Sequence, residues 1–287
     1  MTTPRIDAHV HLWTRSPLPG WIDPSSMPAL DGDFTVDDLT VVTATTGTAA
    51  AVVVQAVADV EETTRHLAAA ALDPVIAGVV GWVDLTAESV GDTLDALRDG
   101  PGGEHLVGIR SMVQSEPDPD WLDRRDVRRG LTAVAERDLA FDLLVAPPQL
   151  PAAVRTAQAM PGLRFVLDHL GKPPIADGDL GPWSVGLRGL ARLDHVTAKL
   201  SGLVSEADWQ NWTPADLRPA VDAAVDGFGP QRLMWGSDWP VCRLATTPQA
   251  WSAVATDLTS ALSPGEQSAL RGGTAIRTYS LTHPVPA

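Results

Sequence analysis

Residues 5–13 read Arg-Ile-Asp-Ala-His-Val-His-Leu-Trp, an apolar run that carries two histidines two positions apart. Such a run, bounded by polar segments, predicts a buried β-strand. Because side chains alternate between the two faces of a strand, Asp7, His9 and His11 are expected on one face and the apolar residues between them on the other. We interpret 5–13 as a first strand whose polar face lines a functional cavity.

Seven further segments of the chain read as buried strands, and longer segments of helical character separate them. With the first, the predicted strands are 5–13, 49–57, 75–85, 106–114, 139–145, 163–170, 195–203 and 232–239. The predicted helices are 35–46, 60–72, 87–98, 124–137, 150–160, 183–193, 214–228 and 247–262. Eight strand–helix repeats predict an α/β fold, a (β/α)8 TIM barrel, in one domain over residues 1–287. A doubly wound sheet is the alternative, but no glycine-rich phosphate turn follows the first strand.

Charge and composition exclude several classes of partner. The net charge of −15 disfavours binding to nucleic acid, which requires a basic surface. The one cysteine, Cys242, excludes an intrachain disulfide. Apolar runs are too short and too interrupted for a membrane span, and the start of the chain lacks the pattern of a signal peptide. We therefore expect a cytoplasmic protein with a small-molecule substrate; the sequence leaves open whether it forms a homo-oligomer.

Polar residues stand where four of the predicted strands end, which in a TIM barrel is the catalytic face. His9 and His11 end the first strand and Arg110 the fourth. The sixth ends in Asp168-His169, of which we expect His169 to face the barrel interior while Asp168 orients it from the side. Asp238 stands at the tip of the eighth. We predict that Asp238, His169 and Arg110 are catalytic.

Three long loops, 14–34, 115–123 and 171–182, each follow a predicted strand and are expected to form the rim of the cavity. The chain has 10 tryptophans, whose flat apolar faces suit the C–H faces of a sugar ring. Trp21 is among those expected near the cavity. The residues predicted to bind substrate are Trp13, Trp82, Arg110, Asp142, Lys172, Trp183 and Trp239.

Six segments taken together resemble one enzyme family. They are Asp7-Ala8-His9-Val10-His11-Leu12-Trp13, Gly81-Trp82-Val83-Asp84, Gly108-Ile109-Arg110, Asp168-His169-Leu170-Gly171-Lys172-Pro173, Lys199-Leu200-Ser201-Gly202-Leu203 and Trp235-Gly236-Ser237-Asp238-Trp239-Pro240. In this order they resemble the amidohydrolase-related branch of the amidohydrolase superfamily, and within it the sugar lactonases of the fuconolactonase and rhamnonolactonase type. The similarity extends over the whole chain.

The resemblance implies a role for each matching position. Asp238 would be the general base that activates water, and His9, His11 and His169 would polarise the lactone carbonyl directly or through a divalent metal held with Asp238. Arg110 would hold the substrate or stabilise the oxyanion. Metal-dependent members also take a ligand from the fifth strand, where this chain has Phe141-Asp142-Leu143-Leu144. We therefore expect at most one divalent ion, with Zn²⁺ preferred by imidazole and carboxylate donors, or a site that requires none.

Three other functions remain alternatives at this point. The superfamily also contains metal-dependent decarboxylases that use paired histidines and a late aspartate, and more distant relatives open a pyrone dicarboxylate. A barrel that only binds a sugar acid is an alternative from another class. The set His9, His11, His169 and Asp238 favours a hydrolase that opens a sugar 1,4- or 1,5-lactone to its acid, because ester hydrolysis needs a base and an electrophile together.

Overall fold

Eight parallel strands follow one another around a barrel, in a computed structural model that describes residues 3–282. The strands, labelled β1 to β8, are Ile6–Val10, Ala50–Val54, Ile76–Gly81, Leu106–Ser111, Ala140–Leu143, Arg164–Leu167, Val196–Leu200 and Leu233–Trp235. Each pairs with the next in parallel register. The predicted TIM barrel is confirmed.

The barrel closes between the ends of β8 and β1 through backbone hydrogen bonds rather than through a regular ladder. Asp238 N donates to His9 O at 2.9 Å, and His11 N donates to Trp239 O at 2.7 Å. The polar tips of the first and last strands are therefore held side by side. This pairing fixes where Asp238 stands relative to the two histidines.

Eight helices cover the barrel, close to the predicted positions. Labelled α1 to α8, they are Val36–Thr46, Val60–Ala70, Val90–Asp99, Arg125–Glu136, Leu150–Ala159, Gly181–Ala191, Pro214–Phe228 and Pro248–Leu258. Thr35 begins α1 with a capping box, in which its hydroxyl accepts from Asp38 N and the Asp38 carboxylate accepts from Thr35 N. Before α7, the Asp216 carboxylate likewise accepts from Thr213 N. Within residues 3–282, none of the helices is both long and apolar enough to cross a membrane.

Two short helices near the C-terminus were not predicted. They are α9 (Pro264–Ser268) and α10 (Thr274–Thr278). Between them, a Cβ on Gly272 would lie 2.1 Å from Pro4 O, so the backbone packs against the start of β1 as only glycine allows. Thr274 donates to Gln231 O before β8. The segment 264–278 thus packs at the amino-terminal end of the barrel, opposite the strand tips that carry the polar residues.

Several strands end earlier than predicted. β6 ends at Leu167 instead of 170, and β8 at Trp235 instead of 239. His169 and Leu170 have φ of 52°, and Asp238 has φ of 57°, which are left-handed conformations that no strand contains. These segments are buried like the strands before them, and their apolar composition therefore predicts strands. Their backbone, however, is not extended.

The alternation predicted for the first strand is wrong in one respect. The register with β2 shifts between Asp7 and Val10, so side chains that alternate in step before the shift point to the opposite face of the strand after it. Ala8 packs in the apolar cluster of Val52 and Val54, whereas Val10 packs in the cluster that includes the covering helices. Asp7 is consequently not beside the histidine side chains; its Oδ1 accepts from the backbone N–H groups of His9 and Ser237.

Candidate active site

Three side chains converge where β1 meets the segment after β8. His9 Nε2 lies 3.1 Å from His11 Nε2, and Asp238 Oδ1 lies 3.7 Å from the first and 3.6 Å from the second. All three residues are buried. Among the residues that the structure describes, Asp238 Oδ1 has no hydrogen-bond partner, which is unusual for a buried carboxylate oxygen and indicates that a ligand or water meets it.

The tautomer of His11 follows from its neighbour. Its Nδ1 lies 2.8 Å from Val54 O, and a carbonyl oxygen can only accept, so Nδ1 carries the proton. In the neutral ring with its proton on Nδ1, Nε2 of His11 presents a lone pair toward Asp238 and His9. A neutral imidazole with this orientation can accept a proton or bind a metal ion.

Beneath His9 lies a group of buried charged side chains from three strands and from the turn after β6. Lys199 Nζ on β7 lies 2.6 Å from Asp142 Oδ2, 3.0 Å from Asp168 Oδ1 and 3.1 Å from His9 Nδ1. Arg110 Nη1 on β4 donates to Asp168 Oδ2 at 3.0 Å. The two cations balance the two carboxylates, which is the condition under which buried charges are tolerated.

Burial and these neighbours set the pKa values of the group. Burial raises the pKa of Asp142 to about 6, and the charge of Lys199 limits the rise. For Asp168, burial acts in the same direction, but Lys199, His9 and Arg110 hold the pKa of that carboxyl well below its usual range. Burial, reinforced by Lys199, lowers the pKa of His9 well below its usual value. His9 is thus neutral near pH 7, above an ionised Asp168.

The turn after β6 places His169 in the cavity wall, as predicted. Burial lowers the pKa of His169 to about 4, so its ring is neutral near pH 7, and its Nδ1 lies 3.0 Å from Ser201 Oγ after β7. Gly202 leaves room for the ring, because a Cβ there would lie 2.3 Å from His169 Nδ1. Asp168 is also turned inward, onto Arg110 and Lys199, and not beside His169 as expected. The left-handed turn that begins at His169 ends the strand alternation on which that expectation rested.

The donors fit a single metal ion. The atoms His9 Nε2, His11 Nε2 and Asp238 Oδ1 are 3.1–3.7 Å apart, close to the spacing of about 3.3 Å between ligands on one tetrahedral Zn²⁺. A second buried group that could hold an ion, His9, Asp168 and His169, shares His9 with the first. Its Asp168 is already paired with Lys199 and Arg110. To bind an ion through Nε2, His9 would carry its proton on Nδ1, toward Asp168 at 3.4 Å, instead of accepting from Lys199.

A cavity of about 200 Å³ opens above these residues, a size that suits a small molecule. Of the predicted site residues, His11, His169, Arg110, Lys172 and Asp238 line it. A larger groove of about 520 Å³ lies outside the barrel between α5 and α6, and it is lined mostly by proline and aliphatic side chains without a carboxylate or histidine. The chemistry-bearing side chains are therefore at the smaller cavity.

Five residues predicted to bind substrate lie elsewhere. Trp183 is in α6 and donates to Leu170 O, so it supports the turn after β6. Asp142 lies deeper in the barrel, where it accepts from Lys199 and Tyr279. Trp13 and Trp239 pack around Phe34 behind the cavity wall, and half-buried Trp82 is outside the lining. The tryptophans were expected here because they stand near strand ends or rim loops, but large apolar rings are more often used for packing.

Other residues reach the cavity from loops that the sequence did not single out. The segment after β7 contributes Ser205, Glu206 and Trp209, and the segment after β4 contributes Met112 and Gln114. The predicted rim loop 115–123 contributes none of the lining residues. A signal was present in Trp209-Gln-Asn-Trp212, a polar, tryptophan-bearing loop after a predicted strand. Trp21 was expected here and does line the cavity; its Nε1 donates to Ala56 O at 2.9 Å.

Comparison with known proteins gives consistent similarity over the full chain. A family model described as amidohydrolase matches residues 6–281. A protein from Burkholderia multivorans named L-fucono-1,5-lactonase is 41% identical over 99% of this chain and 98% of its own length. One of the same name from Burkholderia ambifaria is 39% identical, with 98% and 97% covered.

Solved structures show the same similarity. A crystal structure of an amidohydrolase from Burkholderia multivorans with bound Zn superposes with a TM-score of 0.92 at 39% identity, covering 97% of this chain and all of that one. A hydrolase of 2-pyrone-4,6-dicarboxylic acid from Pseudomonas putida, described as putative, is 22% identical with a TM-score of 0.78, which shows a shared fold.

Proposed function

Since this chain belongs to the amidohydrolase family, we propose that it is a lactonase that opens a neutral sugar 1,4- or 1,5-lactone to the corresponding sugar acid. Relatives at 41% and 39% identity that carry the name L-fucono-1,5-lactonase support this substrate class. One domain carries the reaction, at the carboxyl end of the barrel strands.

The observation that carries the proposal is the position of Asp238. Its Oδ1 is buried at the cavity, has no hydrogen-bond partner within residues 3–282, and faces the Nε2 atoms of His9 and His11. A carboxylate oxygen held in this way can accept a proton from a water molecule in the cavity. Ester hydrolysis needs such a base next to groups that stabilise a negative oxygen.

In the proposed reaction Asp238 removes a proton from water as the water oxygen bonds to the lactone carbonyl carbon. The carbonyl π electrons move to its oxygen, which becomes an oxyanion. When that oxyanion collapses, the bond from the carbonyl carbon to the ring oxygen breaks. The proton held by Asp238 passes to the ring oxygen, giving a hydroxyl group and a carboxylic acid that ionises at neutral pH. Water is the one co-reactant consumed.

Arg110 and His169 would contact the substrate beside His9. Both line it, and neutral His169 can donate a hydrogen bond to the carbonyl oxygen. Arg110 Nη1 and Nη2 also donate to Asp168 and Gln55, which fixes the guanidinium in place. Its charge stabilises the oxyanion without a large rearrangement, as expected of a preorganised site.

A metal ion would be held by His9, His11 and Asp238. When bound, it would polarise the carbonyl group and lower the pKa of a bound water. Val54 O fixes the ring orientation of His11 in either case, and without a metal ion Lys199 also contacts His9 Nδ1 from below.

A panel of neutral sugar 1,4- and 1,5-lactones, assayed by acid release with and without chelator, tests the proposal. We expect at least one lactone to be opened well above the spontaneous rate. If none is opened while carbon dioxide is released from an unsaturated or aromatic acid, the decarboxylase alternative replaces the lactonase. Ligand binding without turnover of any lactone would favour a binding protein instead.

A further inference from the structure

Lys172 and Glu206 form an ion pair in the wall of the cavity. Lys172 Nζ lies 2.9 Å from Glu206 Oε1, and the side chains are 25% and 22% exposed. Both line the cavity that Asp238 and His169 also line. Exposure this low reduces screening by solvent, so a change of charge at either position changes the electrostatic potential inside the cavity.

The pair connects two loops through the backbone as well. Lys172 follows the turn after β6, where its N–H donates to His169 O at 2.9 Å. Glu206 ends the turn after β7, and its O accepts from Ala176 N at 3.0 Å. The ammonium and the carboxylate are therefore held at fixed positions relative to His169. Burial lowers the pKa of His169, and the charge of Lys172 contributes in the same direction, so this charge does reach the site.

The charges around the cavity are balanced. Among the described lining residues, the cations are Arg110 and Lys172, and the carboxylates are Glu206 and Asp238. Arg110 is already paired with Asp168 below, and Lys172 with Glu206. A substrate carboxylate that enters would meet no unpaired cation, and it would be repelled by Asp238 and Glu206.

We infer that Glu206 is a specificity-determining residue: by pairing with Lys172 it keeps the cavity selective for uncharged lactones over lactones that carry a carboxylate. This inference rests on the proposed lactonase function and names the charge state of its substrate. Removing the Glu206 charge leaves Lys172 as an unpaired cation in the cavity, available to a carboxylate. Removing the Lys172 charge leaves Glu206 unpaired and increases the repulsion of anions.

The test compares a hexono-1,4-lactone with the hexaro-1,4-lactone of the same configuration, which carries a carboxylate in place of the terminal hydroxymethyl group. We expect Glu206→Gln to shift the ratio of kcat/KM values toward the anionic lactone by roughly tenfold, as one charge-assisted hydrogen bond allows. Lys172→Gln should shift the ratio the opposite way. The Ki of the anionic lactone against the neutral one gives the same comparison if the anionic lactone is not turned over.

Glu88→Gln, an exposed residue before α3, is the control for a change in net charge and should leave the ratio unchanged. Opposite shifts in the two cavity variants support the inference. Shifts in the same direction, or an unchanged ratio in a folded variant, overturn it while the lactonase function stands. If one of the two cavity variants does not fold, the direction in which the other shifts the ratio of kcat/KM values still tests the inference. If the wild-type protein opens no neutral lactone, the proposed function itself is wrong.

Discussion

Lys199 Nζ lies 2.6 Å from Asp142 Oδ2, although the two residues are on β7 and β5 and neither side chain is exposed. Tyr279 donates to the same carboxylate from beyond α10, at 2.8 Å. On its other side Lys199 reaches Asp168 and His9. The barrel interior thus contains a continuous chain of polar contacts from the C-terminal segment to the base of the candidate active site.

Lys199→Met is expected to destabilise the protein by about 3–5 kcal/mol, the usual cost of removing one partner from a buried group of charges. Two carboxylates, Asp142 and Asp168, would lose their shared cation. Urea denaturation of the purified proteins measures the change. Combining Lys199→Met with Asp142→Asn should recover part of the loss, because the double variant has one fewer unpaired charge. Additive losses in the double variant would show that the two side chains do not interact.

The barrel could be predicted because its repeating pattern is local: an apolar run, a polar loop and an amphipathic segment, eight times. The site was predictable where strand ends carry rare residue types, and His9, His11 and Asp238 do meet. Asp168 was misplaced because a left-handed turn at His169 interrupts the alternation of side chains, and local sequence shows no sign of it.

The cavity wall was harder to predict than its floor. Trp209 and Glu206 come from a loop whose position depends on contacts with another loop, such as the bond from Ala176 N to Glu206 O. Trp183 was assigned to substrate binding because it follows a rim loop, but it is buried against the turn after β6. The sequence shows where a tryptophan stands along the chain. Tertiary packing decides whether its ring is buried in the core or lines the cavity.

Asp238→Asn should reduce turnover of the best lactone by about 10²–10⁴-fold, since it removes the proposed base while keeping the shape of the side chain. Asparagine also tolerates the left-handed backbone at this position, where φ is 57°. The measurement is kcat by acid release, with the melting temperature as a check of folding. Asp99→Asn, an exposed aspartate at the end of α3, is the matched control. Turnover near the wild-type value would exclude Asp238 as the base.

Glu62 should make stability depend on pH. Burial raises its pKa from 4.5 to about 7, although the N–H groups of Ala56 and Val57 donate to it. Between these two values the folded protein holds the proton more tightly than the unfolded chain, so this carboxyl lowers the free energy of unfolding as pH rises from about 4.5 to 7. The full effect is on the order of 3 kcal/mol.

Glu62→Gln removes this contribution, so the difference in unfolding free energy between variant and wild type should move in favour of the variant as pH rises through that window. Denaturant unfolding at pH 5, 6, 7 and 8 measures it. Glu61→Gln, the exposed neighbour on α2, controls for the change in net charge. A difference that is constant with pH would show that Glu62 titrates alike in both states.

Metal analysis should find at most one equivalent of Zn²⁺ per chain after dialysis against the ion, because the two candidate donor groups share His9. His11→Ala should lower the bound fraction, since it removes one of three donors that lie 3.1–3.7 Å apart. His195→Ala, a half-buried histidine before β7, should bind as wild type does. Two tightly bound equivalents would contradict the expected single site.

Trp21 and Trp209 should contribute to substrate binding, in contrast to Trp82. The first two line the cavity, and their Nε1 atoms donate to Ala56 O and Ser205 O, both at 2.9 Å, which holds each ring in a defined plane. A sugar lactone stacked on such a ring loses that contact when the ring is removed. We expect Trp21→Ala and Trp209→Ala each to raise KM roughly five- to tenfold, consistent with about 1 kcal/mol for such a contact.

The split between KM and kcat distinguishes binding from a disturbance of the catalytic groups. Neither tryptophan touches the reacting atoms in the proposed mechanism, so kcat should fall much less than kcat/KM. Trp82→Ala is the matched control, since Trp82 is half-buried but outside the lining of the cavity, and its KM should stay close to the wild-type value. Steady-state kinetics on one neutral lactone measures all three. If Trp82→Ala raised KM as much as the other two, the effect would come from general loosening of the barrel, and this cavity would not be where the sugar ring binds.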